Sequence, residues 1–430
     1  MQLSRYLEII STYCIMFWCS DIRVYLCTFM SQNMRILQLC HKVPYPPRDG
    51  GSIAMNNLTQ GLINTGNQVK VLAINTPNNL VYIDEIDQEY VKSTRIESVY
   101  IDTTIQISAA FFNLFTSKSY NIERFIAEDF DHKLAKILKE EEFDIVQLES
   151  LFVAPYLNTI RTYSKAKIVL RSHNVEFEIW QRRSAVCKNP LKKAYLSLLT
   201  TRLKRYEQDH MNRYDAIACI TTRDMEIQRE LGCSVPMTDI PVGVDEIKAP
   251  IVEITDPISL FHLGSMDWMP NLEAIEWFLN HVWGDIKMAL PEIKLNLAGK
   301  SMPQWLMNTT DPNLETMGHI KDAKQYMNSN GIMIVPLLSG SGMRVKIIEG
   351  MALGKVIIST TIGAEGIEYE HGKDIFIADT PSEFVEAIIR CSKDIELCKT
   401  VGRNAKELVR NKYDNIVISQ KLIEFYKSIS

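Results

Sequence analysis

From Met34 to its C-terminus the chain alternates short apolar runs with helical patterns, and that alternation limits its fold more than any other feature. Apolar runs separated by helices call for parallel sheets covered on both faces. Ile36 to Leu39 reads as the first strand, Gly50-Gly51 opens a helix carrying Ile53, Leu58 and Leu62, and Gly66 stops it. Val69 to Ile74 then completes a βαβ unit, and further strands are readable at Ile145–Leu148, Ile168–Leu170 and Ala216–Ile220. A spacer rich in Pro, Asp and Glu, Asp245 to Asp256, precedes a second series. Its strands are Leu260–Leu263, Lys294–Leu297, Ile332–Pro336, Val356–Ser359 and a short one near Ile375, with a helix starting at Pro270. The chain therefore reads as two doubly wound domains joined near residue 250, a division that suits 430 residues. Ligands in such folds sit at the carboxyl ends of the strands, here facing a cleft between the domains.

Composition narrows the class. Hydrophobic residues make up 46% and charged residues 23%, as in soluble enzymes, and the net charge of −5 gives no global support to nucleic-acid binding. The nine cysteines form neither a C-x-x-C pair nor a zinc-spaced cluster with histidine, which suits a reducing, cytoplasmic setting. Cys219 and Cys391 read as small core side chains. Residues 1–33 are expected to lie outside the catalytic fold. Their apolar stretch, Ile9 to Cys19, is flanked by Arg5, Glu8, Asp21 and Arg23, and is shorter than the roughly 20 residues that span a bilayer.

The most informative segment is IMIVPLLSGSGMRVKIIEGMALGKVIIST, residues 332–360. A strand ends at Pro336, a loop holding Gly340, Ser341, Gly342 and Met343 follows, and a helix is expected from about Met343 to Leu353. The glycines let backbone approach a ligand, and a helix N-terminus offers N–H groups to an anion. Arg344 adds a forked cation suited to phosphate. Lys346 and Glu349 share a helical face, so Glu349 could hold a ribose diol while Lys346 reaches phosphate or sugar. The alternative is an ordinary strand–loop–helix connection with a solvated Lys346–Glu349 pair. Neither a P-loop nor G-x-G-x-x-G after the first strand is present.

This segment resembles the donor-site signature of family-4 retaining glycosyltransferases, which have the GT-B fold of two facing Rossmann-like domains. Their pattern is Glu, seven residues, Glu, then a small-residue helix and Gly-Lys/Arg-Pro-Val. Glu349 matches the second Glu and Gly354-Lys355-Val356-Ile357 the tail, while Ser341 stands where the first Glu belongs. The form GSGMR-K followed by TTIGAEGI looks like one branch of that family. Gly50 and Gly51 resemble the glycine pair that approaches phosphate and acceptor, and His173 the histidine that faces the transferred sugar. PVGVD, residues 241–245, resembles the Pro-Asn-Gly-Val-Asp of the domain junction. Gly264 opens a loop that carries Arg and Lys in many members; GSMDWMPN lacks them, so Arg344, Lys346 and, more weakly, Lys300 are the expected substitutes.

The resemblance implies sugar transfer from a nucleoside diphosphate donor to a glycan, lipid-linked or cell-envelope acceptor, with retention of configuration. It implies no cofactor and no metal. The domains expected from it are 34–248, completed by a C-terminal helix at 413–430, and 249–412. A nucleotide-sugar 2-epimerase of the same fold and a non-catalytic nucleotide-sugar-binding subunit are the rival readings. Asp129-Phe130-Asp131 matches a metal-binding D-x-D motif but lies in a helical pattern, where a solvated face is expected. Arg182 to Arg213 carries nine basic residues against Glu207 and Asp209. Two readings stand for it: a solvated helical face, or contact with anionic lipid on the inner face of a membrane.

Overall fold

The computed structural model describes residues 33–245, 259–340 and 342–430, and Met34–Ser430 forms one compact unit. Two parallel sheets organise it. The first contains β1 (Arg35–Cys40), β2 (Gln68–Asn75), β3 (Glu97–Tyr100), β4 (Ile145–Glu149), β5 (Lys167–Ser172), β6 (Ala216–Cys219) and β7 (Met237–Asp239). Its strand order is β3-β2-β1-β4-β5-β6-β7. The second contains β8 (Ser259–Leu263), β9 (Lys294–Ala298), β10 (Leu314–Gly318), β11 (Ile332–Val335), β12 (Val356–Ser359) and β13 (Phe376–Ile377), in the order β10-β9-β8-β11-β12-β13. The fold is the expected pair of Rossmann-like α/β sheets of a GT-B protein.

The central strands are buried along nearly their whole length because helices cover both faces. Three strands were not anticipated: β3, β7 and β10. Each is an outer strand of its sheet, short and partly exposed. An outer strand meets solvent along one side, so ESVY, MTD and LETMG carry charges and lack an apolar run.

The chain ends in a helix, Asn415–Ile429, capped by Asp414. Ile418, Leu422, Ile423 and Tyr426 pack with Ile36, Met55, Leu58 and Leu62 of the first sheet layer. Ala54 and Ile220 from the first half share a second cluster with Phe261, Val335 and Ile357. Apolar packing thus runs across the two sheet layers. The expected junction at 248–249 and the extension 1–33, Asn33 apart, lie outside the described residues.

In both sheets the strand order reverses at one point, between β1 and β4 and between β8 and β11. Such a reversal opens a crevice at the carboxyl ends of the strands, because successive connections leave in opposite directions. The loops after β1, β4, β8 and β11 are therefore where a ligand has room.

Candidate active site

At the first crevice stands Glu149, the last residue of β4, with a fully buried side chain. His173, just after β5, meets it at 2.7 Å through Nε2. An ionised carboxylate only accepts, so Nε2–H donates and the ring tautomer is fixed. Gln38 Nε2 donates to Glu149 Oε1 at 3.3 Å, and Gln147 donates to the same oxygen. Tyr426 of the C-terminal helix donates to Gln147 Oε1, and Thr59 donates to Gln38 Oε1 at 2.7 Å. Parallel register sets Arg171 beside Glu149, with Nε 3.7 Å from Oε2 and side-chain exposures of 1% and 0%. No hydrogen-bond acceptor meets the Arg171 guanidinium among the described residues. Burial lowers its pKa, an effect Glu149 opposes.

Two further features mark this end of the sheet. His41, after β1, contacts the Glu149 carbonyl through Nδ1 at 2.7 Å. Burial, then the charges of Lys42 and His173, push its pKa down to about 3, so the ring is neutral near pH 7. Ser150, the residue after Glu149, has φ of 122°. A non-glycine residue in that region is strained, and such strain gathers at functional sites.

Gly50 and Gly51 open the helix Gly50–Asn64, which Asp49 caps. Asp49 also pairs with Lys42 at 2.6 Å, and a Cβ on Gly51 would lie 3.0 Å from Lys42 Nζ. Lys42 therefore stands beside Gly51, while nothing lies within 4 Å of a Cβ on Gly50.

Across the crevice, the loop after β11 leads into the helix Val345–Ala352, with Arg344 as N-cap. The helix starts two residues later than expected, because Gly340 and Gly342 take φ of 118° and 82° and extend the loop. Ser341 lies outside the described residues. Arg344 donates to the Gly342 carbonyl, and its guanidinium carbon sits 5.0 Å from the centre of the Trp268 ring. Burial lowers its pKa to about 10 although Glu365 favours the charge, so it stays protonated. Lys346 and Glu349 pair at 2.9 Å. This is the contact of the ordinary connection, and a diol would have to share Glu349 with Lys346. Met343 packs against the apolar cluster of the second layer.

Gly264 follows β8, where a Cβ would lie 2.6 Å from Asn271 Nδ2 and 2.8 Å from His262 Nε2. Lys300, after β9, is exposed, and its carbonyl accepts from the Met266 N–H at 2.9 Å.

The two halves of the site meet. A Cβ on Gly342 would come within 2.9 Å of Asn174 Oδ1, the neighbour of His173. Arg182 donates to the Gly340 carbonyl. A charge relay continues from Arg182 to Glu178 (3.3 Å), Arg223 (2.9 Å) and Glu365 (3.5 Å). Asn174, beside His173, and Gly342, at the head of the stretch that carries Arg344, Lys346 and Glu349, thus lie side by side. Sequence reading missed Glu149, Arg171, His41, Lys42 and Trp268. The one available signal was a carboxylate ending the apolar run IVQLE.

The basic stretch 182–213 divides between the helices Glu176–Ala185 and Pro190–Met211. Several of its cations are used internally: Arg182 at Gly340, Arg202 at the Asn113 and Leu114 carbonyls, Lys204 over the Phe177 ring. Asp129 and Asp131 lie in the first turn of the helix Glu128–Glu140, and Asp131 accepts from Thr159.

Comparison with known proteins bears on this geometry. Residues 257–394, which contain the crevice from β8 through the Val345–Ala352 helix, match the family model "Glycosyl transferases group 1". The match supports glycosyl transfer and is confined to those residues. A curated relative, an "Uncharacterized 44.6 kDa protein in cps region" of Klebsiella pneumoniae, is 24% identical over 392 residues, covering 89% of this chain and 97% of that protein. Sucrose-phosphate synthase from Thermosynechococcus elongatus is structurally similar, with a TM-score of 0.66 at 16% identity over 92% of this chain and 99% of its own. Anabaena HepE in complex with UDP-glucose gives 0.61 at 13% identity over 92% and 100%. Within the matched residues, Arg344, Lys346 and Glu349 stand on the loop and helix that follow β11.

Proposed function

We propose that the chain transfers a sugar from a nucleoside diphosphate sugar to a glycan, lipid-linked or cell-envelope acceptor, with retention of configuration and without a metal. The observation that carries the proposal is the meeting of the Glu149–His173 pair with the Gly340–Glu349 segment in one crevice. In this reading the helix N–H groups, Arg344 and Lys346 take up the charge that grows on the diphosphate as the anomeric carbon–oxygen bond breaks. The acceptor oxygen bonds to the anomeric carbon on the face the diphosphate leaves, and its proton passes to a diphosphate oxygen. Glu349 holds the ribose, Gly50 and Gly51 line the diphosphate, and His173, held by Glu149, faces the sugar. The match to the group 1 family and the UDP-glucose of the HepE complex support a nucleotide-sugar donor. The relative described as "in cps region" supports an envelope glycan as acceptor. No helix of the described residues is long and apolar enough to cross a membrane, and the enzyme is proposed to work in the cytoplasm, peripherally at the membrane.

One observation favours a second reading, the 2-epimerase. A buried Glu–His pair is what acid–base chemistry on a bound sugar would use. The test is a screen of UDP-, GDP- and dTDP-sugars by thermal shift, then product analysis with the donor alone. A ligand at a hundred times its Kd adds about 2.7 kcal/mol to native stability. The transferase reading expects a shift with one donor class and no isomer of it. Isomerisation without acceptor overturns it.

A further inference from the structure

The helix Ile107–Asn113, ISAAFFN, is inverted: its one buried residue is the polar Asn113. Ile105, Ile107, Phe111, Phe112 and Phe115 are between 56% and 86% exposed. At about 200 Å² for a large side chain, they present on the order of 700 Å² of apolar surface, more than the roughly 300–600 Å² of the largest patch on a typical soluble monomer. Polar contacts hold the segment this way round. Arg202 donates to Asn113 O and Oδ1, both at 2.9 Å, and to Leu114 O at 3.1 Å. Asn113 Nδ2 in turn donates to Glu123 at 3.1 Å.

The neighbouring surface is cationic and apolar as well. Leu191, Tyr195, Leu198 and Arg202 follow one another at spacings of four, three and four in the helix Pro190–Met211, so they share one face. Arg202 marks the end of that face at Asn113, and Leu191, 83% exposed, lies about 16 Å further along it. Lys188 and Lys192 flank Leu191 and are exposed. The nearby carboxylates are engaged: Glu123 with Lys118 at 2.9 Å, Asp102 with the Thr104 N–H at 2.9 Å. Both elements follow carboxyl ends of strands, β3 for the apolar helix and β5 for the basic pair of helices. In a parallel sheet these are the ends that carry Glu149 and His173.

We infer that this surface docks on an anionic lipid bilayer, the aromatic side chains entering the interface and Lys188 and Lys192 facing the headgroups. An apolar helix with a cationic rim matches that occupant in both chemistries. The inference deepens the proposed function, since it brings the crevice to a lipid-borne acceptor, and it rests on that reading for the acceptor alone. It also shifts the weight of attachment from the basic stretch, part of which is used internally, to the aromatic residues.

The test is sedimentation of the full chain with phosphatidylcholine vesicles, with and without phosphatidylglycerol. It is run at about 0.1 M and about 1 M KCl, between which the Debye length falls from about 10 to about 3 Å. The wild type is expected on anionic vesicles at low salt, with a residue bound at high salt. F111S/F112S/F115S should lower partitioning about tenfold or more at both salts, and K188E/K192E at low salt only. Retained stabilisation by the donor sugar shows that each variant is folded; if the triple variant lacks it, I107S/F115S replaces it. A wild type that ignores anionic vesicles at low salt, or serine variants that bind like wild type, overturns the inference. So does lipid-free dimerisation that the serine variants abolish, because the occupant is then a second copy. Donor turnover without vesicle binding refutes docking alone, and vesicle binding without any donor refutes the transferase reading alone.

Discussion

Replacing Glu149 with Gln tests the account where two buried charges depend on each other. The amide keeps the side chain's shape and leaves the Arg171 guanidinium, 1% exposed, without its counter-charge. Breaking a buried pair by removing one partner costs about 3–5 kcal/mol. At about 2–4 °C per kcal/mol for a domain of this size, Tm should fall by about 6–20 °C. Adding Arg171→Met removes the orphaned charge and fills its volume with an apolar chain, and replacing the whole of a buried pair is commonly neutral. The double variant should therefore regain most of the lost Tm. Its turnover should stay low, because His173 loses the buried carboxylate that orients its ring. Scanning fluorimetry on the two variants, with donor turnover measured alongside, reads both effects. A single variant as stable as wild type, or a double variant no more stable than the single, would refute the reasoning.

Three further outcomes are expected. Glu349→Ala should weaken donor binding by about 1.5–3 kcal/mol, the strength of a hydrogen bond to a charged group; unchanged affinity by calorimetry in a folded variant removes Glu349 from the site. Arg344→Ala and Lys346→Ala should depress kcat more than donor affinity, whereas equal losses for donor and bare nucleoside would point to uniform binding. Burial raises the Glu176 carboxyl from 4.5 to about 7, so the fold holds this proton where the unfolded chain releases it. The stability it contributes is complete below pH 4.5 and is lost as pH rises through about 7. Tm should thus fall from about pH 5 to about pH 8, and Glu176→Gln should flatten that fall.

Central strands were legible in the sequence because burial on both faces leaves a mostly apolar run, as in ILQL and IMIV. The outer strands β3, β7 and β10 were not, since their exposed sides carry Glu, Thr and Asp. The loop before Val345 could be read because glycines and cations crowd the end of one strand. Glu149 and Arg171 could not be read as a pair. They lie in different strands, and only the register of β4 on β5 makes them neighbours. Likewise the charge of 182–213 is visible in sequence, but Arg182 and Arg202 turn out to be bound to backbone carbonyls.

The most direct test of the central claim follows a labelled sugar from the donor found by the screen into envelope glycan and lipid acceptors, in excess EDTA, with the anomeric configuration read by NMR. The account predicts release of the nucleoside diphosphate matched by acceptor labelling with the donor's configuration kept, and loss of that labelling in Glu349→Ala. A strict need for manganese or magnesium, an inverted product, or labelling that survives Glu349→Ala unchanged would contradict it.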